Sequence, residues 1–448
     1  MNPNLTLDER YLRNKYPFGH SLTPIGGILA GVSRLSAEHT APDFEIAVSD
    51  LDNLTKIFPH VSRPDGTDAC KEPLGGAGAD IDPELAWLRA VMEGLERYSG
   101  MAFKDDDFIL ATANELGDLA LDLDTIPRCS EREYADPQCP YMAPDKNKKI
   151  RWVQGYSLVD KCKRLVPGAM SMLYFKPWVG ENIAIEISTG TAAHTNLETA
   201  LVSAICEVIE RDSIALSWLL KIPLPRIEFT HPLPSVLAPN YGRLENSLVK
   251  QYFFDATTDI GIPTVYALQL LENQPILSQY VACATGFDAA ACCAKTIRES
   301  APSRSVFQDN YQVPDNVIDF RTLYDGAAFL GRAENRSAFE FLTNTPNRIA
   351  LGDMGPEDAG NSDRERLNYL VKKLASMDMD IVVVDMTTEE LRKMGIWVVR
   401  AIIPGLMPMS SVQRARFLGH KRLHDYAKKI GIVDFNESMV NQSPQPFA

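Results

Sequence analysis

The chain has 448 residues, 45% of them apolar and 23% charged, with a formal net charge of −14. Such acidity excludes general binding to nucleic acid or to an anionic membrane, since both are held through basic surface. No apolar run is long enough to cross a bilayer and no signal-peptide core opens the chain, so a cytoplasmic protein of two or three substructures is expected.

Taken in order, residues 23–33 interrupt an apolar run with glycines and predict a strand with a turn. Residues 74–84 place a glycine-rich turn before Asp82 and Pro83, the pattern of an N-cap followed by a first-turn proline. That turn either cradles an anion through its N–H groups or is only a turn. A helix follows over residues 86–99. Residues 103–150 are rich in Asp, Pro and Lys and read as exposed excursions at a sub-domain edge. Strands are expected over residues 151–159, 170–175 and 183–187. Thr195 and Glu198 form a capping box for a second helix over residues 200–213.

Beyond Pro223 come proline-rich connections, then strands over residues 263–271 and 280–284. A third helix over residues 289–300 sets Lys295 and Glu299 four apart on one face, and Arg304 follows it. A helix near residues 364–377, a strand from residue 381 broken by Asp385, and a strand over residues 397–403 complete the pattern. Pro444 and Pro446 stiffen the C-terminal end, although disorder is the usual fate of such a tail.

The eight cysteines include no Cys-x-x-Cys pair and read as small core residues. No P-loop, no full dinucleotide fingerprint and no nucleophile elbow occurs, so a nucleotide would have to bind by other means. His420 and His424 stand four apart. Either they share a zinc or, with Lys421 and Arg422 between them, they lie on a solvated basic helix, the reading favoured here.

The most informative feature is a repeat. Glu93, Glu96 and Arg97 in the first helix match Glu207, Glu210 and Arg211 in the second, and Ala86, Ala90 and Ser99 match Ala200, Ala204 and Ser213. On a helix each segment presents two carboxylates and a cation together. The bland alternative is a pair of solvated faces with local ion pairs. Two such segments in matching apolar frames favour a shared site for a hard divalent cation such as Mg²⁺.

The run from Ser188 to Asp212, with Glu93 to Ser99, the helix of Lys295 and Glu299, and the stretch from Val398 to Leu406, resembles the YcaO family. The likeness runs over residues 70–448 and leaves residues 1–69 as an N-terminal segment of unassigned role. It implies an α+β fold of mixed sheets with helices packed around a carboxylate-lined ATP and Mg²⁺ site. By that resemblance Glu93, Glu96, Glu207, Glu210 and Glu299 match the magnesium-chelating acids. Arg211 and Lys295, and more weakly Arg97 and Arg304, match cations near the nucleotide phosphates. Ala192, Thr195 and Thr199 depart from the family's usual Ser, Asn and Glu.

The ending resembles the Pro-x-Pro-x-Pro tail of the azoline-forming branch, with Pro444 and Pro446 in place and Ala448 where the last proline would stand. The resemblance gives these three residues a catalytic role, the terminal carboxylate of Ala448 positioning groups or accepting a proton. It further implies a cyclodehydratase acting on a ribosomally made precursor peptide, with an E1-like leader-binding partner, an FMN-dependent azoline dehydrogenase, and a homodimer within a larger synthetase. Backbone thioamide formation and a non-catalytic scaffold are the alternatives.

Overall fold

The computed structural model describes residues 9–22, 27–37, 39–51, 54–61, 75–272, 274–307, 311–356 and 358–447. Ala448, Cys70 and the first part of the turn expected at residues 23–33 lie outside them. The described residues form a mixed α+β fold with three sheets. Gly31–Leu35, Glu45–Asp50 and Ala77–Asp80 make an antiparallel three-stranded sheet. A five-stranded sheet runs in the order Gln279–Thr285, Thr264–Leu270, Lys250–Asp255, Arg226–Glu228, Arg348–Ala350, with its last pair parallel. A six-stranded sheet runs Ile109–Ala111, Ile150–Ser157, Val382–Asp385, Trp397–Ile402, Thr191–His194, and Cys162–Pro167 pairs with its second strand.

The three chemically marked helices pack on different combinations of the sheets. The first acidic helix, Pro83–Met101, starts at Asp82, whose side chain accepts from the Glu84 N–H, with Pro83 in the first turn as the sequence predicts. Its buried stripe of Ala86, Ala90 and Gly94 lies on the three-stranded sheet. The second acidic helix, Leu197–Leu219, packs on both the six- and five-stranded sheets, and the third, Ala289–Val306, on the five- and three-stranded ones. The three sheets therefore close around the helix faces that carry the glutamates.

Several local expectations are corrected. The glycine-rich segment before the first helix carries an edge strand, Ala77–Asp80, rather than only a turn: a Cβ at Gly76 would fall 2.5 Å from the Ala90 carbonyl, and one at Gly78 2.3 Å from that of Ala86. Glycine is needed there so that strand and helix can touch. The second helix is capped by Asn196, which accepts from the Thr199 N–H, while Glu198 pairs with Arg364 at 2.7 Å. No strand forms over residues 170–175, where the short helix Gly168–Ser171 ends and Tyr174 turns the chain at φ 55°. Residues 183–187 are also irregular. Both stretches are apolar because they cover the core, not because they join a ladder. The third helix continues through Pro302 to Val306.

The helix Lys421–Lys429 exposes Lys421, His424, Lys428 and Lys429 on a solvated basic face, and no metal-ligand group forms there among the described residues, but its other face is buried. Arg422 is buried and pairs with Asp212 and Asp259, each at 2.7 Å. His420 donates to the Leu406 carbonyl, and burial lowers its pKa to about 4. Cys129, Cys206, Cys283, Cys292 and Cys293 are buried and unbridged, as core residues.

Candidate nucleotide and metal site

One strand or loop end from each sheet turns an N–H onto a glutamate. Ala77 donates to Glu93 at 2.9 Å, Gly190 to Glu207 at 3.0 Å and Thr285 to Glu210 at 3.0 Å. Gly190 can hold that position because it has φ 82°, and a Cβ there would meet the Ala401 carbonyl at 2.3 Å. Cations sit among the acids. Arg97 lies 3.0 Å from Glu93, Arg211 pairs with Glu210 and lies 3.1 Å from Glu207, and Lys295 lies 3.6 Å from Glu299 and 4.0 Å from Glu210.

The helices meet electrostatically through these side chains. Burial raises the pKa of Glu96 well above the ordinary carboxylate range, and the charges of Glu207 and Glu93 raise it further. Glu207 and Glu299 are also raised, by burial first and then by Glu210, against the pull of Arg211 and Lys295 respectively. Glu299 holds the Lys295 ammonium above its usual value. Like charges gathered in this way favour an added cation. Among the described residues no three such ligands yet surround a common point, because the carboxylates rest on their arginines and lysine. Buried Nε–H groups of Arg97 and Arg211 have no partner among the described residues. Oxygen donors in excess, with unpaired cationic N–H groups beside them, suit a hard metal together with phosphate oxygens.

Arg304 is not at this cluster. It is fully buried, with its guanidinium donating to the Leu277 carbonyl at 3.2 Å and reaching Gln269 at 3.5 Å, and it braces the core beneath the five-stranded sheet. Pro444, Gln445, Pro446 and Phe447 are buried rather than disordered. Phe447 sets its ring edge-on to Tyr266 at 5.1 Å. Of the departures, Ala192 is a buried strand residue and Thr199 ties its helix to Asp363. Sequence reasoning missed Asp80, which pairs with Arg89 at 3.0 Å and Arg298 at 3.6 Å beside Glu299, and it missed Arg400, buried against the second acidic helix. Asp80 stands in the glycine-rich segment and Arg400 in the stretch from Val398 to Leu406, but no spacing within those segments singles out either side chain.

A fold with this acid and cation cluster and no P-loop defines a class of nucleotide and metal-binding proteins. A family model described as YcaO cyclodehydratase, ATP- and Mg²⁺-binding, matches residues 75–407, and the chain belongs to the YcaO family. ATP and Mg²⁺ are its cofactors. An uncharacterized protein in the tfuA 3′ region of Rhizobium leguminosarum bv. trifolii is 28% identical over 207 residues, 44% of this chain and 45% of that protein. Less than half of that relative's length is therefore spanned. A heterocyclase in complex with substrate and cofactor matches 99% of this chain and 57% of its own, with 21% identity and a TM-score of 0.79. The E. coli microcin synthetase McbBCD complex with pro-MccB17 bound matches 95% of this chain and 99% of its own, with 14% identity and a TM-score of 0.63. At these identities the solved structures establish the shared fold. No helix among the described residues is long and apolar enough to cross a membrane.

Proposed function

We propose that this chain is an ATP-dependent cyclodehydratase that converts Cys, Ser or Thr residues of a ribosomally made precursor peptide into thiazolines or (methyl)oxazolines. The observation that carries the reading is the gathering of Glu93, Glu207 and Glu210 by N–H groups from three sheets, opposite Arg97, Arg211 and Lys295. In this reading Glu93, Glu96, Glu207, Glu210 and Glu299 hold the metal, while Arg211, Lys295 and Arg97 face the phosphates.

ATP with its Mg²⁺, when bound, supplies the phosphoryl group that makes the substrate's amide oxygen a leaving group. The chain supplies orientation and charge. Its fixed cations are placed before reaction and need little reorganisation as negative charge develops. The apolar walls beside them keep water from the activated group.

The buried tail supports the azoline branch, since Pro444 and Pro446 bring the chain end toward Tyr266, whose neighbour Cys283 feels the charge of Glu210. In this reading Ala448, which lies outside the described residues, would position groups or accept a proton. A precursor peptide, an E1-like leader-binding partner, an FMN-dependent dehydrogenase and a homodimer within a larger synthetase complete the assembly. Residues 70–448 act as its ATP-binding unit.

The test is mass spectrometry of a cognate precursor with ATP and Mg²⁺, with and without the E1-like protein. Loss of one water per ring, only or far faster with the partner, is expected. Full processing by this chain alone would remove the partner from the scheme.

A further inference from the structure

Arg400 lies in the strand Trp397–Ile402 with only 5% of its surface exposed. One terminal nitrogen donates to the Ile187 carbonyl at 2.6 Å, but Nε and Nη1 are buried without a partner among the described residues. Burial lowers its pKa to about 10 even though Glu207, Glu96 and Glu186 face it and act in the other direction. Directly across the antiparallel ladder stands Thr191, whose hydroxyl is likewise buried and unpartnered. Opposed residues of such a ladder project to one face, so two unsatisfied polar groups share it. Leaving buried donors unpaired is costly, and an arginine kept only for packing would be expected to close its bonds.

Arg400 and Arg211 line a pocket whose remaining wall is mostly apolar, with Ile185, Ile187, Met407 and Met409 among its residues. Its volume is about 100 Å³. Pockets for nucleotide-sized ligands run to roughly 300–1,000 Å³, so this one has room for about a single side chain. An apolar wall also offers nothing to a polyphosphate. A peptide residue fits both features, because its carbonyl accepts from the guanidinium while its side chain fills the wall.

Resting on the azoline reading above, we propose that this pocket is the substrate subsite for the residue that precedes the cyclising Cys, Ser or Thr: its apolar side chain fills the wall and its amide oxygen accepts from Arg400, which Thr191 flanks on the same face of the sheet. When the cyclising side chain adds, a bond forms from its sulfur or oxygen to the carbonyl carbon. The carbonyl π pair moves onto the amide oxygen and the thiol or hydroxyl proton leaves to solvent. Arg400 is the donor that meets the growing charge. The pocket therefore selects a modest apolar residue before each ring.

The probes are two labelled synthetic peptides of one length, one with Val before a single Cys and one with Asp there. With the E1-like partner present in the water-loss assay, the full chain is compared with Arg400→Met, Arg400→Lys and Thr191→Val for water loss, peptide affinity by fluorescence anisotropy and ATP–Mg²⁺ affinity by calorimetry. Arg400→Met should lower turnover about 10²- to 10³-fold, the range for losing one oxyanion donor, with nucleotide affinity unchanged. Arg400→Lys should recover part of the loss, and the wild type should bind the Val peptide more tightly than the Asp peptide.

Unchanged turnover in Arg400→Met, or a parallel loss of nucleotide affinity, overturns the assignment. If Arg400→Met does not fold, Thr191→Val decides, with reduced turnover at unchanged nucleotide affinity as support and full activity as contradiction. A wild type that binds ATP but removes no water even with the E1-like partner present refutes the azoline reading alone. The pocket is then judged by anisotropy: a Val preference weakened in Arg400→Met supports it, and equal binding of both peptides overturns it.

Discussion

The indole N–H of Trp218 donates to the carbonyl of Ser443 at 3.3 Å, so the helix that carries Glu207 and Glu210 also holds the C-terminal tail. Asn441 reinforces the join by donating to the Trp218 carbonyl at 3.1 Å, and Gln413 donates to that of Gln442 at 2.9 Å. Proline at 444 and 446 lowers the entropy lost on fixing this end. A chain ending at Gln442, and one extended by a few glycines after Ala448, should therefore form rings more slowly than the native chain while retaining most ATP affinity. Native rates in both would reduce the tail to packing.

Phe447 gives the tail a measurable anchor. It is 5% exposed and meets both Tyr266 and the cluster around Trp218. Phe447→Ala should cost at most about 3–5 kcal/mol, the range for buried Phe truncation, and less if the end frays. Denaturant unfolding reads the loss, and an unchanged midpoint would show that the tail is not docked in solution.

Glu207→Gln and Glu210→Gln each remove a negative charge from the site and leave the side chain able to accept from Gly190 or Thr285. Each should weaken ATP–Mg²⁺ binding at least about tenfold, or about 1.4 kcal/mol, by calorimetric titration. Undiminished affinity in both would move the nucleotide elsewhere.

The raised acids give the site a pH signature. Burial holds Glu96, Glu207 and Glu299 above the ordinary carboxylate range. In the unfolded chain they titrate near about 4.3, so the stability they contribute is complete below that value and is lost as pH rises through the raised folded values. Glu299 keeps 50% of its side chain exposed, so screening limits the size of the effect and only the direction is used. A metal takes the ionised form, so Mg²⁺–nucleotide binding should release protons and weaken as pH falls through the raised folded values. Titration at several pH values in buffers of different ionisation enthalpy checks both, and heats independent of buffer throughout would contradict them.

Arg422 and Asp212 join the last helix to the second acidic one through an almost fully buried pair at 2.7 Å. Asp212 also accepts from the N–H of Met407, a residue of the apolar pocket, at 2.8 Å. Asp212→Ala should cost roughly 3–5 kcal/mol, because it leaves the guanidinium buried with only Asp259 to answer it. Urea unfolding would show the shift.

Periodicity and capping were enough to read the first acidic helix, the third helix and the strands at residues 150–157, 264–270 and 279–285. They also placed both glutamate pairs on helices. Arg400 lies in the stretch from Val398 to Leu406 that carries the resemblance, but its place at the site was not legible, because its incomplete bonding depends on Ile187, 213 residues earlier in the chain. Arg422 was misread for a similar reason. Its neighbours are charged, and the two carboxylates that bury it lie 210 and 163 residues away. The failed strands at residues 170–175 and 183–187 show the converse, with apolar runs that cover the core in irregular chain.

The central claim is that the clustered glutamates hold an ATP–Mg²⁺ site that drives water out of a peptide backbone. Mass spectrometry of a cognate precursor, incubated with ATP, Mg²⁺, an E1-like partner and either the native chain or Glu207→Gln, tests it most directly. Successive losses of one water from Cys, Ser or Thr positions are expected with the native chain and none with the variant. Exchange of backbone oxygen for sulfur, or equal water loss by the Glu207→Gln chain, would contradict it.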